Sequence, residues 1–117
     1  GKDLVLKSDG SQIRSYCYML DCATAILTVL LHGTPASAYN ISNPDSIISI
    51  RNLAELYAKS GNVKLSFDLP TTKEKEAFNP MQNSSLDSTS LESLGWIPLF
   101  SASVGTSHTI KILQEIN

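Results

Sequence analysis

The sequence contains few cysteines, histidines and aromatic residues and no long apolar run. Its 117 residues include two cysteines, two histidines and one tryptophan, and aromatic residues make up 7% of the chain. No apolar run approaches the roughly 20 residues that a membrane-spanning helix needs. The longest, residues 25–31, is interrupted by Thr28. The first residues are polar, and the apolar stretch 4–6 is too short for a signal peptide, so no such leader is expected.

Clustered positive charge is also missing. The formal net charge is -2 at pH 7, and charged residues make up 17% of the chain. A nucleic-acid-binding surface needs lysines and arginines gathered on one face. The one charge run, residues 73–76, alternates in sign and is typical of a solvated surface. We therefore expect neither nucleic acid nor a membrane as a partner.

The two cysteines do not form a pattern typical of a metal site. Cys17 falls on a predicted strand and Cys22 at the start of a predicted helix, and both histidines are distant in sequence. A structural zinc site needs four ligands at suitable spacing. The sequence thus predicts no metal site and two free thiols, as expected for a protein of the reducing cytoplasm.

The order of periodic segments predicts a single α/β domain over residues 1–117, in which short strands are mixed with about four helices. We predict strands at residues 4–6, 12–20, 38–41 and 63–67. Helices are predicted at residues 21–32, 50–61 and 88–95, and from residue 101 or 103 to the end. Residues 68–85 show no periodicity and are predicted to form an irregular loop.

Turn and capping residues refine this prediction. The turn residues 8–11 predict that the first two strands form a hairpin or pair closely. Asp21 is expected to cap the first helix, which should be well buried because it has little polar surface. Ser49 is expected to cap the next helix, and Gly61 to end it.

Arg14 is the strongest candidate binding residue. Alternation along the second predicted strand gives Arg14, Tyr16 and Tyr18 a common face. A guanidinium group offers a planar fork of donors that matches phosphate oxygens, and tyrosines could form a wall for a sugar or base. The alternative is that this face is the solvated side of an amphipathic strand.

Residues 9–23 also resemble a known family pattern. They read DGSQIRSYCYMLDCA, which is similar to G-x-G-x-x-x-R-D-[FYW]-x-x-V-x-D-x-A of the extended short-chain dehydrogenase/reductases that act on nucleotide sugars. These are the NAD-dependent epimerases and dehydratases. The chain departs from the pattern at Ser8 for glycine, at Ser15 for the acid and at Met19 for valine.

Further segments resemble the same family in the expected order. Residues 39–41 are similar to its Y-N-I strand and residues 49–54 to the start of its next helix. Residues 86–98 resemble L-D-x-x-K-L-x-x-L-G-W-x-P, with Ser90 in place of the lysine. Residues 105–110 fit its closing helix, apart from Thr106. The likeness covers nearly the whole chain, and it implies the superfamily rather than a particular substrate.

The resemblance implies roles for individual residues in binding a nucleotide-diphosphate sugar. Arg14 would bind the pyrophosphate, and Tyr16 would form part of the sugar or base wall. Ser49 would lie near the nucleotide, or would be a plain helix cap. The family's second basic residue is missing from the loop at residues 78–83, so Asn83 or Lys75 would replace it.

The family's catalytic pair is a tyrosine followed four residues later by a lysine. Here Leu20, Cys22, Asn43 and Gly61 stand four residues after the four tyrosines, so no pair exists. The six glycines lie far apart and form no glycine-rich fingerprint for NAD. Neither catalytic nor cofactor-binding residues are therefore expected in this chain. The two histidines, His32 and His108, are interpreted as surface or capping residues.

We interpret the chain as the C-terminal, substrate-binding part of an NAD-dependent epimerase or dehydratase, catalytically inactive by itself. The absent N-terminal Rossmann half would bind NAD, and the resemblance implies a full-length homodimer formed through helices of that half. Two alternatives remain open. The chain could be a free-standing nucleotide-binding module, or a small structural or interaction domain without catalysis.

Overall fold

The computed structural model describes residues 2–75 and 80–116, apart from the side chains of Lys73 and Lys75. Within these residues the chain forms short strands mixed with helices, which confirms the predicted α/β class. The strands are β1 (Leu4–Leu6), β2 (Ile13–Ser15), β3 (Ile47–Ser49), β4 (Leu65–Phe67) and β5 (Asn83–Ser84). The helices are α1 (Met19–His32), α2 (Ile50–Gly61), α3 (Thr72–Lys75), α4 (Thr89–Glu92) and α5 (Ala102–Ile116), with a 3-10 turn at Pro44–Ser46.

The strands form two small sheets. β1 pairs with β4 in parallel, and β2 lies between β3, to which it is antiparallel, and β5, to which it is parallel. The predicted hairpin between β1 and β2 is therefore wrong. Gly10, at a φ of 69°, lies between the two strands, and its carbonyl accepts a hydrogen bond from the Arg51 amide at 2.9 Å. This bond to α2 directs the chain from one sheet into the other.

The second strand is shorter than predicted, and the helix after it begins earlier. Strand pairing ends at Ser15, the Tyr16 amide donates to the Ser46 carbonyl at 3.1 Å, and Tyr18 is the N-cap of α1. Asp21 thus lies inside the first turn of the helix and is not its cap. Its buried carboxylate accepts hydrogen bonds from the Leu99 and Phe100 amides, each at 2.9 Å.

Helix α1 is also more exposed than predicted. Of its residues only Asp21 and Ala25 are buried, whereas Ile26, Leu30 and Leu31 are 59%, 77% and 72% exposed. The apolar pattern was recognised correctly, but the described residues do not cover this face of the helix.

The middle of the chain departs from the prediction at two short segments. Residues 38–41 form a loop rather than a strand, and Tyr39 and Ile41 in this loop pack against the core. The unpredicted strand β3 follows it. Helix α2 then forms as expected, since the Ser49 hydroxyl accepts a hydrogen bond from the Asn52 amide at 3.1 Å. Residues 68–85 include α3 and β5, so this segment is not wholly irregular.

The core of the described residues is small and partly polar. Ala25, Leu91 and Trp96 form a buried cluster, and the Trp96 indole donates to the Thr24 hydroxyl at 3.1 Å. Buried polar residues outnumber buried apolar ones: they are Asp21, Ser42, Asn43, Ser46, Ser88 and Thr106. The Cα radius of gyration is 16.6 Å, compared with about 13 Å for a compact domain of this size. The principal-axis extents are 47 × 38 × 20 Å, so the fold is flat, with much surface for little core. None of the described helices is both long and apolar enough to cross a membrane.

Candidate phosphate-binding site

Three of the predicted site residues, Arg14, Ser49 and Asn83, lie on the three neighbouring strands of the sheet β3-β2-β5. Ile13 on β2 pairs with Ser49 on one side and with Asn83 on the other. Paired residues on neighbouring strands share a face of the sheet, and successive residues alternate between faces. Ser49 and Asn83 thus lie on the face of Ile13, whereas Arg14 lies on the opposite face. The predicted residues share a sheet but not one surface.

The Arg14 guanidinium is held by hydrogen bonds to its own segment of the chain and to the segment that leads to β5. Its Nη1 donates to the carbonyls of Ile13, at 2.7 Å, and Met81, at 3.2 Å, and its Nη2 donates to Oε1 of Gln12 at 2.8 Å. A guanidinium carries five N–H donors. Within residues 2–75 and 80–116 three are used, all on terminal nitrogens, and Nε–H and one Nη2–H have no acceptor there.

Tyr16 lies near this guanidinium, whereas Tyr18 does not belong to the site. Burial raises the pKa of the Tyr16 phenol, and the positive charge of Arg14 partly offsets that rise. Tyr18 instead packs its ring 4.8 Å from that of Phe100, and its hydroxyl lies 2.7 Å from Nδ1 of His108. The predicted face of one arginine and two tyrosines therefore loses Tyr18, because the chain turns into α1 at that residue.

His108 has a partner that the sequence did not reveal. It was interpreted as a surface or capping residue, but its ring is half-buried on α5, where it bonds to Tyr18 and stacks on Phe100. Ninety positions separate His108 from Tyr18, so no local pattern could have indicated the pair. The arrangement ties the start of α1 to α5 and gives His108 a structural role.

Ser49 and Asn83 both use their side chains locally. Ser49 is the N-cap of α2, the simpler of the two roles considered for it. The Asn83 side-chain oxygen accepts from the Ser85 amide at 2.9 Å, which closes the turn after β5. Of the other residues considered for the second phosphate contact, the Lys75 side chain lies outside the described residues.

The contacts of two further residues, Gln12 and Arg51, were not expected from the sequence. Gln12 lies two positions before Arg14 on the same face, a spacing that could have indicated it. Arg51, at the start of α2, donates from Nε to the Asp9 carbonyl at 2.9 Å and lies 4.3 Å above the ring of Phe67. These contacts hold the turn before β2 against α2 and β4.

Gly10 does not lie at a turn of the kind that binds a dinucleotide. NAD-binding folds present its pyrophosphate to backbone amides at a glycine-rich turn from a strand into a helix. Gly10 precedes a strand, and a Cβ atom there would lie 2.8 Å from the Arg51 amide nitrogen, so this glycine serves packing. Across residues 2–75 and 80–116, no group of three or more histidine, cysteine or acidic side chains could hold a metal ion.

Comparison with known proteins gives matches in sequence and in fold. The model of the NAD dependent epimerase/dehydratase family matches residues 1–42. A trifunctional UDP-glucose 4,6-dehydratase/UDP-4-keto-6-deoxy-D-glucose 3,5-epimerase/UDP-4-keto-L-rhamnose-reductase from Arabidopsis thaliana is 33% identical over 99 residues. That alignment covers 82% of this chain and 14% of the plant protein.

Solved structures share the fold at lower sequence identity. A dTDP-glucose 4,6-dehydratase from Bacillus anthracis, in complex with NAD, superposes with a TM-score of 0.79 at 18% identity. The match covers 98% of this chain and 35% of that one. A UDP-glucuronic acid 4-epimerase from Bacillus cereus, in complex with UDP-glucuronic acid and NAD, gives 0.79 at 18% identity, covering 99% and 36%. The chain thus spans little more than a third of either enzyme.

Proposed function

Since the chain belongs to the NAD-dependent epimerase/dehydratase family, we propose that it is the C-terminal, nucleotide-sugar-binding portion of a longer enzyme. The observation that carries the proposal is the Arg14 guanidinium, fixed on the central strand of its sheet, with two donors that no described residue uses. A guanidinium oriented in this way suits a phosphate oxygen of a nucleotide-diphosphate sugar. Tyr16 would form part of the wall for the sugar or base.

The proposed reaction belongs to the longer enzyme. There, NAD would accept a hydride from a sugar carbon and return it after epimerisation or dehydration. Residues outside this chain would bind NAD and supply the tyrosine and lysine that transfer the proton, because the 117 residues contain no such pair. The chain would bind the nucleotide and would be inactive by itself. The cytoplasmic location and the homodimer of the full enzyme stay predictions.

The exposed apolar face of α1 supports the proposal that a further segment of the same enzyme packs against this chain. Ile26, Leu30 and Leu31 present apolar surface that a free domain would normally cover. The related dehydratase and epimerase structures are almost three times as long as this chain. We propose that the N-terminal Rossmann portion packs on this face and supplies the apolar core that the chain lacks.

Titration with UDP and dTDP, followed by amide chemical shifts and calorimetry, tests the proposal. In a protein that includes the N-terminal portion, Arg14→Ala should weaken nucleotide-diphosphate binding by about 2–3 kcal/mol, because a charge-assisted contact is lost. Arg51→Ala, which removes the only other arginine, is the matched control and should leave affinity nearly unchanged. Equal affinity of the Arg14→Ala and wild-type proteins would contradict the assignment.

The free-standing module is the alternative that the Arg14 geometry also favours. It predicts that the 117-residue chain alone binds nucleotide sugars at millimolar concentration, with shift changes centred on Arg14. Absence of such changes would exclude the module. An upstream glycine-rich fingerprint and a tyrosine-lysine pair in the same reading frame would decide for the enzyme.

A further inference from the structure

Gln12 contacts the charged group of the candidate site without being a candidate ligand contact itself. It lies two residues before Arg14, and its Oε1 accepts from Arg14 Nη2 at 2.8 Å, the partly buried bond among the three that hold this guanidinium. Gln12 immediately precedes β2, and its amide oxygen reaches Nη2 of the arginine two residues further along the chain.

The three bonds together restrict the orientation of the guanidinium. Both donors of Nη1 are used by main-chain carbonyls, one from β2 and one from the segment that leads to β5. The Gln12 bond adds a restraint on the second terminal nitrogen. A planar group held at both terminal nitrogens cannot turn about its axis, so the direction of the Nε–H and the remaining Nη2–H is set before a ligand arrives. Such preorganisation lowers the entropic cost of binding.

We propose that Gln12 is a positioning residue that directs the free donors of Arg14 toward a phosphate group of the nucleotide-diphosphate ligand. This inference rests on the proposed function. The neutral amide is essential to the role: it accepts a hydrogen bond from Arg14 and leaves the positive charge available. A carboxylate at position 12 would form an ion pair with Arg14 and would compete with the phosphate for the same donors.

The test compares UDP affinities of variants at position 12, measured by calorimetry on the protein that includes the N-terminal portion. Gln12→Met keeps the shape of the side chain and removes the acceptor, and should weaken UDP binding about threefold to tenfold, the effect of one ordinary hydrogen bond. Gln12→Glu should weaken it more. In the Arg14→Ala background, Gln12→Met should have no effect, because nothing is left to position.

Gln82 provides the matched control. It lies next to β5, its side chain is exposed, and its backbone carbonyl accepts from the Ile13 amide. Gln82→Met and Gln82→Glu make the same changes near the same sheet and should leave UDP affinity within twofold of wild type. A second readout needs no ligand: the Nε–H resonance of Arg14 should be sharp in the wild type and should broaden in Gln12→Met.

The outcomes separate this inference from the proposed function. If both Gln12 variants bind UDP as the wild type does, while Arg14→Ala does not, the positioning role is wrong and the phosphate site stands. An equal loss from Gln12→Met in the Arg14→Ala background would also overturn the role, since the loss would then be structural. If the wild type and Arg14→Ala bind UDP equally, or neither binds it, both ideas fail.

Discussion

A Cβ atom built on Gly105 would lie 2.8 Å from Cδ2 of Tyr18. Gly105 is buried in the first turns of α5, and Tyr18 is the residue at which α1 begins. The missing side chain at Gly105 thus lets the two helices approach at the point where the Tyr18 hydroxyl meets His108. Glycine is required here for space and not for its backbone conformation, since it lies within a helix.

Gly105→Ala should destabilise the chain in spite of the higher helix propensity of alanine. The new methyl group must displace the Tyr18 ring, and overpacking of this kind costs about 1–3 kcal/mol. Urea unfolding followed by far-UV circular dichroism measures the effect. Gly61→Ala is the control: it is also helical, but its Cβ would find the nearest atom at 3.8 Å. That variant should be neutral or slightly stabilised, and the same result for Gly105→Ala would disprove the close contact.

Asp21→Asn should loosen the segment between Trp96 and α5. The buried carboxylate accepts from two adjacent amides, and an asparagine would turn one acceptor into a donor that faces an N–H group. We expect a loss of about 1.5–3 kcal/mol in the free energy of unfolding, measured by the midpoint of urea unfolding. Asp45→Asn, at an exposed position, should not shift the midpoint. An unchanged midpoint for both variants would contradict the bonding seen for Asp21.

Leu30→Gln and Leu31→Gln should leave the stability of the 117-residue chain within about 0.5 kcal/mol of wild type, because both side chains are exposed. They should reduce its self-association at high concentration, measured by sedimentation velocity. Leu91→Ala, at a fully buried position, should by contrast cost about 2–5 kcal/mol. Strong destabilisation by the Leu30 or Leu31 variants would mean that this face is covered within the chain itself.

Cys17 should react slowly with alkylating reagents in the folded chain. Burial, and next a hydrogen bond with the Cys22 thiol, raises the pKa of the Cys17 thiol to about 12. At pH 8 its thiolate population should be on the order of a thousandfold lower than that of a free cysteine, whose pKa is about 8.5. Iodoacetamide labelling resolved by peptide mass spectrometry, with the urea-unfolded chain as reference, measures this. Equal labelling of Cys17 in both states would contradict it.

The same shift gives stability a definite pH dependence. Above pH about 8.5 the unfolded chain loses the Cys17 proton, while the folded chain keeps it until the pH approaches 12. The unfolded state therefore binds fewer protons in this window, and stability falls as pH rises. Cys17→Ser should flatten this part of the stability profile relative to wild type.

The longer helices could be predicted from the sequence because their signals are local. The Ser49 cap at the start of α2 acts within a few residues, and the apolar spacing after it repeats with the turn of the helix. The left-handed residue that ends α2 is Asn62, one position after the expected Gly61. Strands of two or three residues carry no comparable pattern. β3 and β5 are strands because each pairs with β2, which lies between them. The pairing of β2 with β5 joins residues 70 positions apart. Long-range pairing of this kind also replaced the expected hairpin.

The candidate site was predictable in its central residue and not in its surroundings. Arg14 could be predicted because it belongs to a motif of consecutive residues. The Met81 carbonyl that accepts from Arg14 belongs to a distant segment. Every residue has a main-chain carbonyl, so no residue type in the sequence could have indicated this partner. Tyr18 was assigned to the site by alternation alone, and that rule ceased to apply where the strand ended after Ser15.

The pairing of β1 with β4 has a consequence for the order of events in folding. Leu4 meets Leu65, so this sheet closes a loop of about 60 residues that contains α1, β2, β3 and α2. Closing such a loop costs chain entropy, and contacts between residues close in sequence do not offset that cost. Helices, by contrast, form within microseconds. Helices should therefore form first and the β1–β4 pair late. During synthesis on a ribosome, β1 would have no partner strand until β4 had emerged.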